Sequence, residues 1–189
     1  MSASKLLARC FFYDLGSPYA WLAAQRVDAL FEPAPEWVPV LLGAVFRATG
    51  RSSWALTDER ERGIAEVERR ARERGLTSPR WPEPWPNDGL LAMRAATYAH
   101  DRGRGRAFAL AAFDVQFVEG RALSTPGNVA RAAQRAGLGG GEVLAAAARP
   151  EIKARLRLHT ERALVRGVFG VPTLLDGERV LWGDDALDR

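Results

Sequence analysis

The sequence predicts an α/β fold in two halves, a strand–helix–strand unit at the start and a strand–strand–helix unit at the end, with an all-helical block between them. Three observations predict it. An aromatic run at residues 9–14 gives way to a turn and a helical pattern, and an apolar run returns at 37–42. Residues 44–165 then carry almost only helical periodicity. After Gly167 two apolar runs flank Asp176-Gly177, and an Asp-Gly pair in that setting is the strongest short-range hairpin signal. The first unit demands parallel strands joined by a right-handed crossover. Together with the hairpin it makes a thioredoxin-like sheet, formed by residues 1–43 and 166–189, with 44–165 as an inserted helical domain.

Each element has a local reason. Residues 9–14 are short, aromatic and bounded by Gly16, as a buried strand is. Over 18–31, Tyr19, Leu22, Ala23, Val27 and Leu30 recur at helical spacing, and Glu32-Pro33-Ala34-Pro35 ends the run. The second strand spans 37–42, where Pro39 calls for an edge position or a bulge. A charged helix is expected over 58–74, stopped by Gly75, then a Pro/Trp-rich loop over 78–87. Alanine-rich helices follow at 89–101 and 105–119. Ser124-Thr125-Pro126 opens another that ends at Gly137, and 141–148 and 151–165 complete the block. The closing strands are 172–175 and 178–182, with a last helix after Gly183-Asp184-Asp185.

Composition narrows the function classes. A chain of 189 residues, 47% hydrophobic, buries a full core. No apolar stretch approaches the about 20 residues of a membrane span, and Leu6-Leu7-Ala8 is too short for a secretory signal, so a cytoplasmic location is expected. The net charge of +4 comes almost wholly from arginine, with Lys5 and Lys153 the only lysines. The arginines alternate with acids, as in Asp58-Glu59-Arg60-Glu61-Arg62 and Glu66-Val67-Glu68-Arg69-Arg70. Such alternation marks a solvated helix face laced with ion pairs, not the one-sided basic face of a nucleic-acid reader. The single cysteine, Cys10, excludes an internal disulfide and reads as a small buried hydrophobe. His100 and His159 fall on helices away from the motifs below and read as non-catalytic. No metal-ligating cluster stands out.

Two segments carry the chemistry. In Tyr13-Asp14-Leu15-Gly16-Ser17-Pro18-Tyr19, Ser17 falls at a helix N-cap and Pro18 at the first helical position. Its hydroxyl can cap the helix, or it can face an anion, which a helix start favours. In Gly167-Val168-Phe169-Gly170-Val171-Pro172-Thr173, a proline opens a strand after a glycine-rich turn. Either a cis bond presents the main chain of Val171 to an extended peptide-like ligand, or a trans proline starts an edge strand.

Ser17-Pro18-Tyr19 after a strand, Leu42-Gly43-Ala44-Val45-Phe46-Arg47-Ala48-Thr49-Gly50, Gly170-Val171-Pro172-Thr173, Trp182-Gly183-Asp184-Asp185 and the Pro86-Asn87 pair before Ala92-Met93-Arg94-Ala95-Ala96 together resemble the 2-hydroxychromene-2-carboxylate isomerase family. That family belongs to the DsbA-like thioredoxin superfamily and is close to the kappa-class glutathione transferases. The resemblance covers essentially the whole chain in order and implies a glutathione cofactor. By position, Ser17 would donate to the glutathione sulfur and favour its thiolate. Val171 beside Pro172 would hold the cysteinyl backbone. Asp185, with Asp184 as a competing candidate, would bind the γ-glutamyl ammonium. Arg47 could face a glutathione or substrate carboxylate, and Asn87 and Trp85 would contact substrate. Arg47 as a solvated arginine, Asp185 as a helix cap, and Trp81 and Trp85 as core cover are the plainer alternatives. The chain departs from the family pattern at Ala186, where arginine usually follows the acid, and in Arg51-Ser52-Ser53-Trp54, which lacks an expected asparagine.

The resemblance implies an isomerase acting on a conjugated or aromatic small molecule, with a kappa-like transferase or a non-catalytic thioredoxin-like binding module as alternatives. A dithiol oxidoreductase needs Cys-x-x-Cys, and the corresponding run is Ser17-Pro18-Tyr19-Ala20. A homodimer is possible, since relatives of this fold are commonly dimers.

Overall fold

β1 (Cys10–Tyr13) is buried at all four positions, and its alternation divides the molecule. Phe11 and Tyr13 belong to the larger of two apolar clusters, Cys10 and Phe12 to the smaller, because successive strand residues face opposite sides. In the computed structural model, which describes residues 9–188, a four-stranded sheet runs in the order β2-β1-β3-β4. β2 (Glu36–Pro39) pairs parallel with β1, from Cys10 opposite Glu36 to Tyr13 opposite Pro39. It is an edge strand, as Pro39 requires. β3 (Thr173–Asp176) lies antiparallel on the other side of β1, and β4 (Arg179–Trp182) antiparallel to β3. The hairpin loop is Gly177-Glu178 rather than Asp176-Gly177: Asp176 pairs with Arg179 inside the ladder, and Gly177 takes the φ of 63° at the first loop position.

Several element boundaries differ from expectation. The helix expected over 18–31 is two, α1 (Pro18–Ala24) and α2 (Val27–Leu30). Arg26 leaves the helix at φ −140°, and its guanidinium donates 2.5 Å to the Asp184 carbonyl and pairs with Asp188. A distant partner thus overrides local propensity. The second strand ends at Pro39, and α3 (Leu42–Thr49) begins where the strand was expected to finish; Gly50 closes it at φ 67°. α4 (Arg60–Glu73) stops before Gly75 as expected. α5 (Leu90–Asp101) and α6 (Gly105–Phe113) follow. The helix expected over 105–119 widens after Phe113, where Glu119 N–H donates to the Asp114 carbonyl at 2.9 Å, five residues back. α7 (Pro126–Arg135), α8 (Gly140–Ala147) and α9 (Pro150–Val165) complete the helices. The expected closing helix is a single 3-10 turn, Asp185–Asp188.

The larger cluster joins the sheet to α1 and α4–α8 through residues such as Trp21, Val67, Met93, Phe113, Val129 and Val143. Small side chains let these helices approach closely; a Cβ on Gly140 would stand 2.9 Å from the Ala130 Cβ. The smaller cluster packs Cys10, Phe12 and Leu175 under Ala163 of α9 and Leu42 of α3. Cys10 is buried as expected, with an Arg166 guanidinium 3.3 Å from its sulfur. Among the described residues no helix is long and apolar enough to cross a membrane, and no His/Cys/Asp/Glu group has the makings of a metal site.

The two histidines meet where β2, α5 and α9 join, with ring centroids 5.1 Å apart. His100 contacts Glu36 at 3.1 Å. Burial first, then the neighbouring His100, lowers the His159 pKa from 6.5 to about 4. The unfolded chain therefore takes up this proton before the folded one does. The contribution is complete above about pH 6.5 and is lost as the pH falls toward 4. Thermal melting between pH 7 and 4 should show a declining midpoint in the wild type and a flatter profile in His159→Phe; parallel profiles would remove His159 as the cause.

Candidate active site

A cavity of about 990 Å³ opens beyond the carboxyl ends of the parallel strands β1 and β2. This is where open α/β sheets leave a crevice, and its volume suits a small-molecule site. The turn after β1 supplies Asp14, Gly16, Ser17 and Tyr19. The turn after β2 and α3 supply Leu41 to Ala44, Phe46 and Arg47, and the segment after α3 supplies Arg51 to Leu56. The loop before α5 gives Trp85 and Asn87, and the third side is Gly170, Val171 and Trp182.

Ser17 is the N-cap of α1 and is buried to 5% exposure. Its hydroxyl oxygen accepts from Ala20 N–H at 3.2 Å, which leaves the hydroxyl proton free to be donated. The turn that presents it is held by Asp14. Asp14 Oδ1 accepts from Gly16 N–H and Oδ2 from Leu42 N–H, each at 2.8 Å. One carboxylate thereby ties the start of α1 to the start of α3. Burial pushes the Asp14 carboxyl above the ordinary carboxylate range, against the pull of those two N–H groups.

The Val171–Pro172 bond is cis, which settles the choice left open by the sequence. Thr173 Oγ1 donates to the Gly170 carbonyl at 2.8 Å and Gly183 N–H to the Pro172 carbonyl at 3.0 Å. Among the described residues no backbone hydrogen bond uses the N–H or C=O of Val171. That pair of main-chain groups is available to an extended ligand.

The opposite wall is aromatic. Tyr19 meets Trp54 at 6.1 Å between centroids, Trp54 meets Trp85 at 5.5 Å, and Trp85 meets Trp81 at 4.6 Å. Trp54 lies flat on α4 because position 63 is glycine: a Cβ there would sit 2.2 Å from the indole. Trp85 lines the cavity and also belongs to the core. Among the described residues the buried Trp85 Nε1 and Asn87 Oδ1 have no hydrogen-bond partner, an unsatisfied donor and acceptor in residues that line the cavity. Arg47 lines the cavity, and its guanidinium makes no ion pair among the described residues.

The fold brings together Ser17, Arg47, Trp85, Asn87 and Val171, with Pro172 next in the chain. It does not bring Asp184 or Asp185 into the cavity lining. Asp184 is 1% exposed and lies 2.6 Å from Arg70 Nη1 and 2.5 Å from Arg74 Nη1. Asp185 is exposed and 3.9 Å from Arg70. The alternating charges of α4 are thus only partly a solvated face, because Arg70 and Arg74 turn inward to the C-terminal turn. Sequence reasoning missed Asp14, Arg51, Trp54 and Trp182. The Asp-x-Gly spacing of Asp14 and Gly16 is an Asx-turn signal that could have found the first.

This is a thioredoxin-fold site in which a serine caps the helix that faces a cis-proline turn. Residues 10–189 match the DSBA-like thioredoxin domain family, and the chain belongs to it. No curated protein matches the chain. Among solved structures it is similar to a 2-hydroxychromene-2-carboxylate isomerase, with 22% identity, TM-score 0.80, and coverage of 96% of this chain and 91% of that one. It is also similar to a "probable DsbA oxidoreductase" from Streptomyces coelicolor, with 18% identity, TM-score 0.75, and coverage of 96% and 86%. At these identities the shared feature is the fold.

Asp14→Asn leaves one acceptor oxygen for two backbone N–H groups. The expected loss is about 1–3 kcal/mol in urea unfolding; wild-type stability would show that Asp14 does not hold the two turns together.

Proposed function

We propose that this protein is a glutathione-dependent isomerase of the 2-hydroxychromene-2-carboxylate isomerase type, acting on a conjugated or aromatic small molecule. The observation that carries the reading is Ser17: a buried hydroxyl with a proton to give, on the same cavity as the unpaired main chain of Val171.

The residues fit the cofactor. Val171 offers one N–H and one C=O, the complement of a cysteinyl backbone in extended form. Ser17 would donate to the sulfur; a thiol with an ordinary pKa of about 8.5 is held lower when its charged form accepts such a bond. When bound, glutathione supplies a thiolate nucleophile whose reversible addition frees a conjugated double bond to rotate. Tyr19, Trp54 and Trp85 would hold a flat substrate and keep water away from it, and Arg47 would orient an anionic end. The chain's only thiol, Cys10, lies buried in β1, so dithiol exchange has no sulfur at this turn.

Binding without turnover is the second reading, and one observation favours it: Asp184 is committed to Arg70 and Arg74, and Asp185 lies outside the cavity lining. The two aspartates that the resemblance assigns to the γ-glutamyl ammonium are then not available to it from the cavity.

Titration with reduced glutathione should give saturable binding by calorimetry. The thiolate absorbance at about 240 nm should appear at lower pH than for the free tripeptide. Ser17→Ala should keep the fold at a cost of about 1 kcal/mol for the lost cap and raise the pH of that transition. No binding at millimolar glutathione would sink the proposal, and an unmoved transition in Ser17→Ala would reduce Ser17 to a cap.

A further inference from the structure

A second cation lines the cavity, and nothing described so far uses it. Arg51 follows Gly50, the left-handed residue that ends α3. Its guanidinium carbon lies 4.7 Å from the Trp182 ring centroid and 5.0 Å from that of Phe169. The two rings are themselves 4.9 Å apart. Three separate elements converge here: the segment after α3, the turn before Val171, and the end of β4. Gly170 makes the convergence possible, since a Cβ there would stand 2.5 Å from Trp182 Nε1.

Among the described residues the Arg51 guanidinium makes no ion pair, and none of its N–H groups has a hydrogen-bond acceptor. Two acids near the C-terminus are engaged elsewhere, Asp184 with Arg70 and Arg74, and Asp188 with Arg26, and Asp185 is exposed with Arg70 at 3.9 Å. Packing a guanidinium against aromatic rings is favourable and restricts its motion. It uses none of the five N–H donors, which stay in one plane at the edge. A planar, unpaired fork beside an aromatic wall matches a carboxylate, which it can bind with two parallel bonds.

We propose that Arg51, clamped by Phe169 and Trp182, is a carboxylate-binding residue of the cavity distinct from Arg47, reading a carboxylate of the tripeptide that lies against Val171. The assignment of that carboxylate to glutathione rests on the function proposed above; the clamp itself does not. A carboxylate on the co-substrate has the same chemistry, and the test separates the two sources.

Reduced glutathione is titrated by calorimetry into the wild type, Arg51→Gln and Arg51→Lys, with thermal melting to check that each variant folds. Naphthoate and its neutral amide are titrated into the same proteins. Arg51→Gln should weaken glutathione by about 10- to 100-fold, the scale of losing a charge-assisted pair. Arg51→Lys should recover only part, because an ammonium lacks the planar fork. Unchanged glutathione affinity, with loss of the preference for naphthoate over its amide, assigns the carboxylate to the co-substrate and overturns the tripeptide assignment. Indifference of both ligands to Arg51 overturns the clamp. Failure of the wild type to bind glutathione overturns the glutathione reading alone, and the naphthoate pair then decides on Arg51.

Discussion

One partly buried carboxylate helps to hold the cavity in shape. Asp14 sits just past the end of β1 and accepts from Gly16 on one side and Leu42 on the other. Those two N–H groups belong to the turns that start α1 and α3. The pairing of β1 with β2 ends with Val40 N–H on the Tyr13 carbonyl, and beyond that point the shared carboxylate continues the link between the two turns. The position of Ser17 relative to the floor at Leu41–Ala44 is therefore tied to a residue of the cavity lining itself. Desolvation disfavours the charge, and backbone donors compensate in part. A carboxylate kept at that balance exists because two backbone donors demand an acceptor each.

The features legible in the sequence are those whose cause is local. Ser17 before Pro18 reads as a cap because the requirement for an acceptor lies within three residues. Pro39 reads as an edge because a missing N–H cannot serve an inner strand. The hairpin reads from a glycine that can take positive φ, although which pair formed its loop was off by one residue. The features that escaped are long-range. The break between α1 and α2 follows Arg26 toward the C-terminal turn, more than 150 residues away. Asp184 looked available to a ligand because its partners, Arg70 and Arg74, were read as part of a solvated face. Arg51 gave no signal at all, since its meaning comes from rings at 169 and 182.

The same contrast applies to the cavity as a whole. Ser17, Arg47, Trp85, Asn87 and Val171 come from four separate stretches of chain, and each stretch carries turn or capping residues that show in the sequence. Their convergence follows from the sheet, which puts the ends of β1 and β2 beside the start of β3. What closes the C-terminal end is electrostatic instead. Arg26, Arg70 and Arg74 gather around buried Asp184 and exposed Asp188, and the buried charge of Asp184 is tolerated because two guanidiniums compensate it.

The tryptophans give the site an optical property. Trp54, Trp85 and Trp81 are in ring contact one after another, from the cavity wall to the partly buried Trp81. At such distances an excitation absorbed by one indole migrates among them before it is emitted. A ligand that touches only Trp54 would therefore alter emission from Trp85 and Trp81 as well, and the intrinsic fluorescence of this chain is a built-in reporter of occupancy that needs no added label.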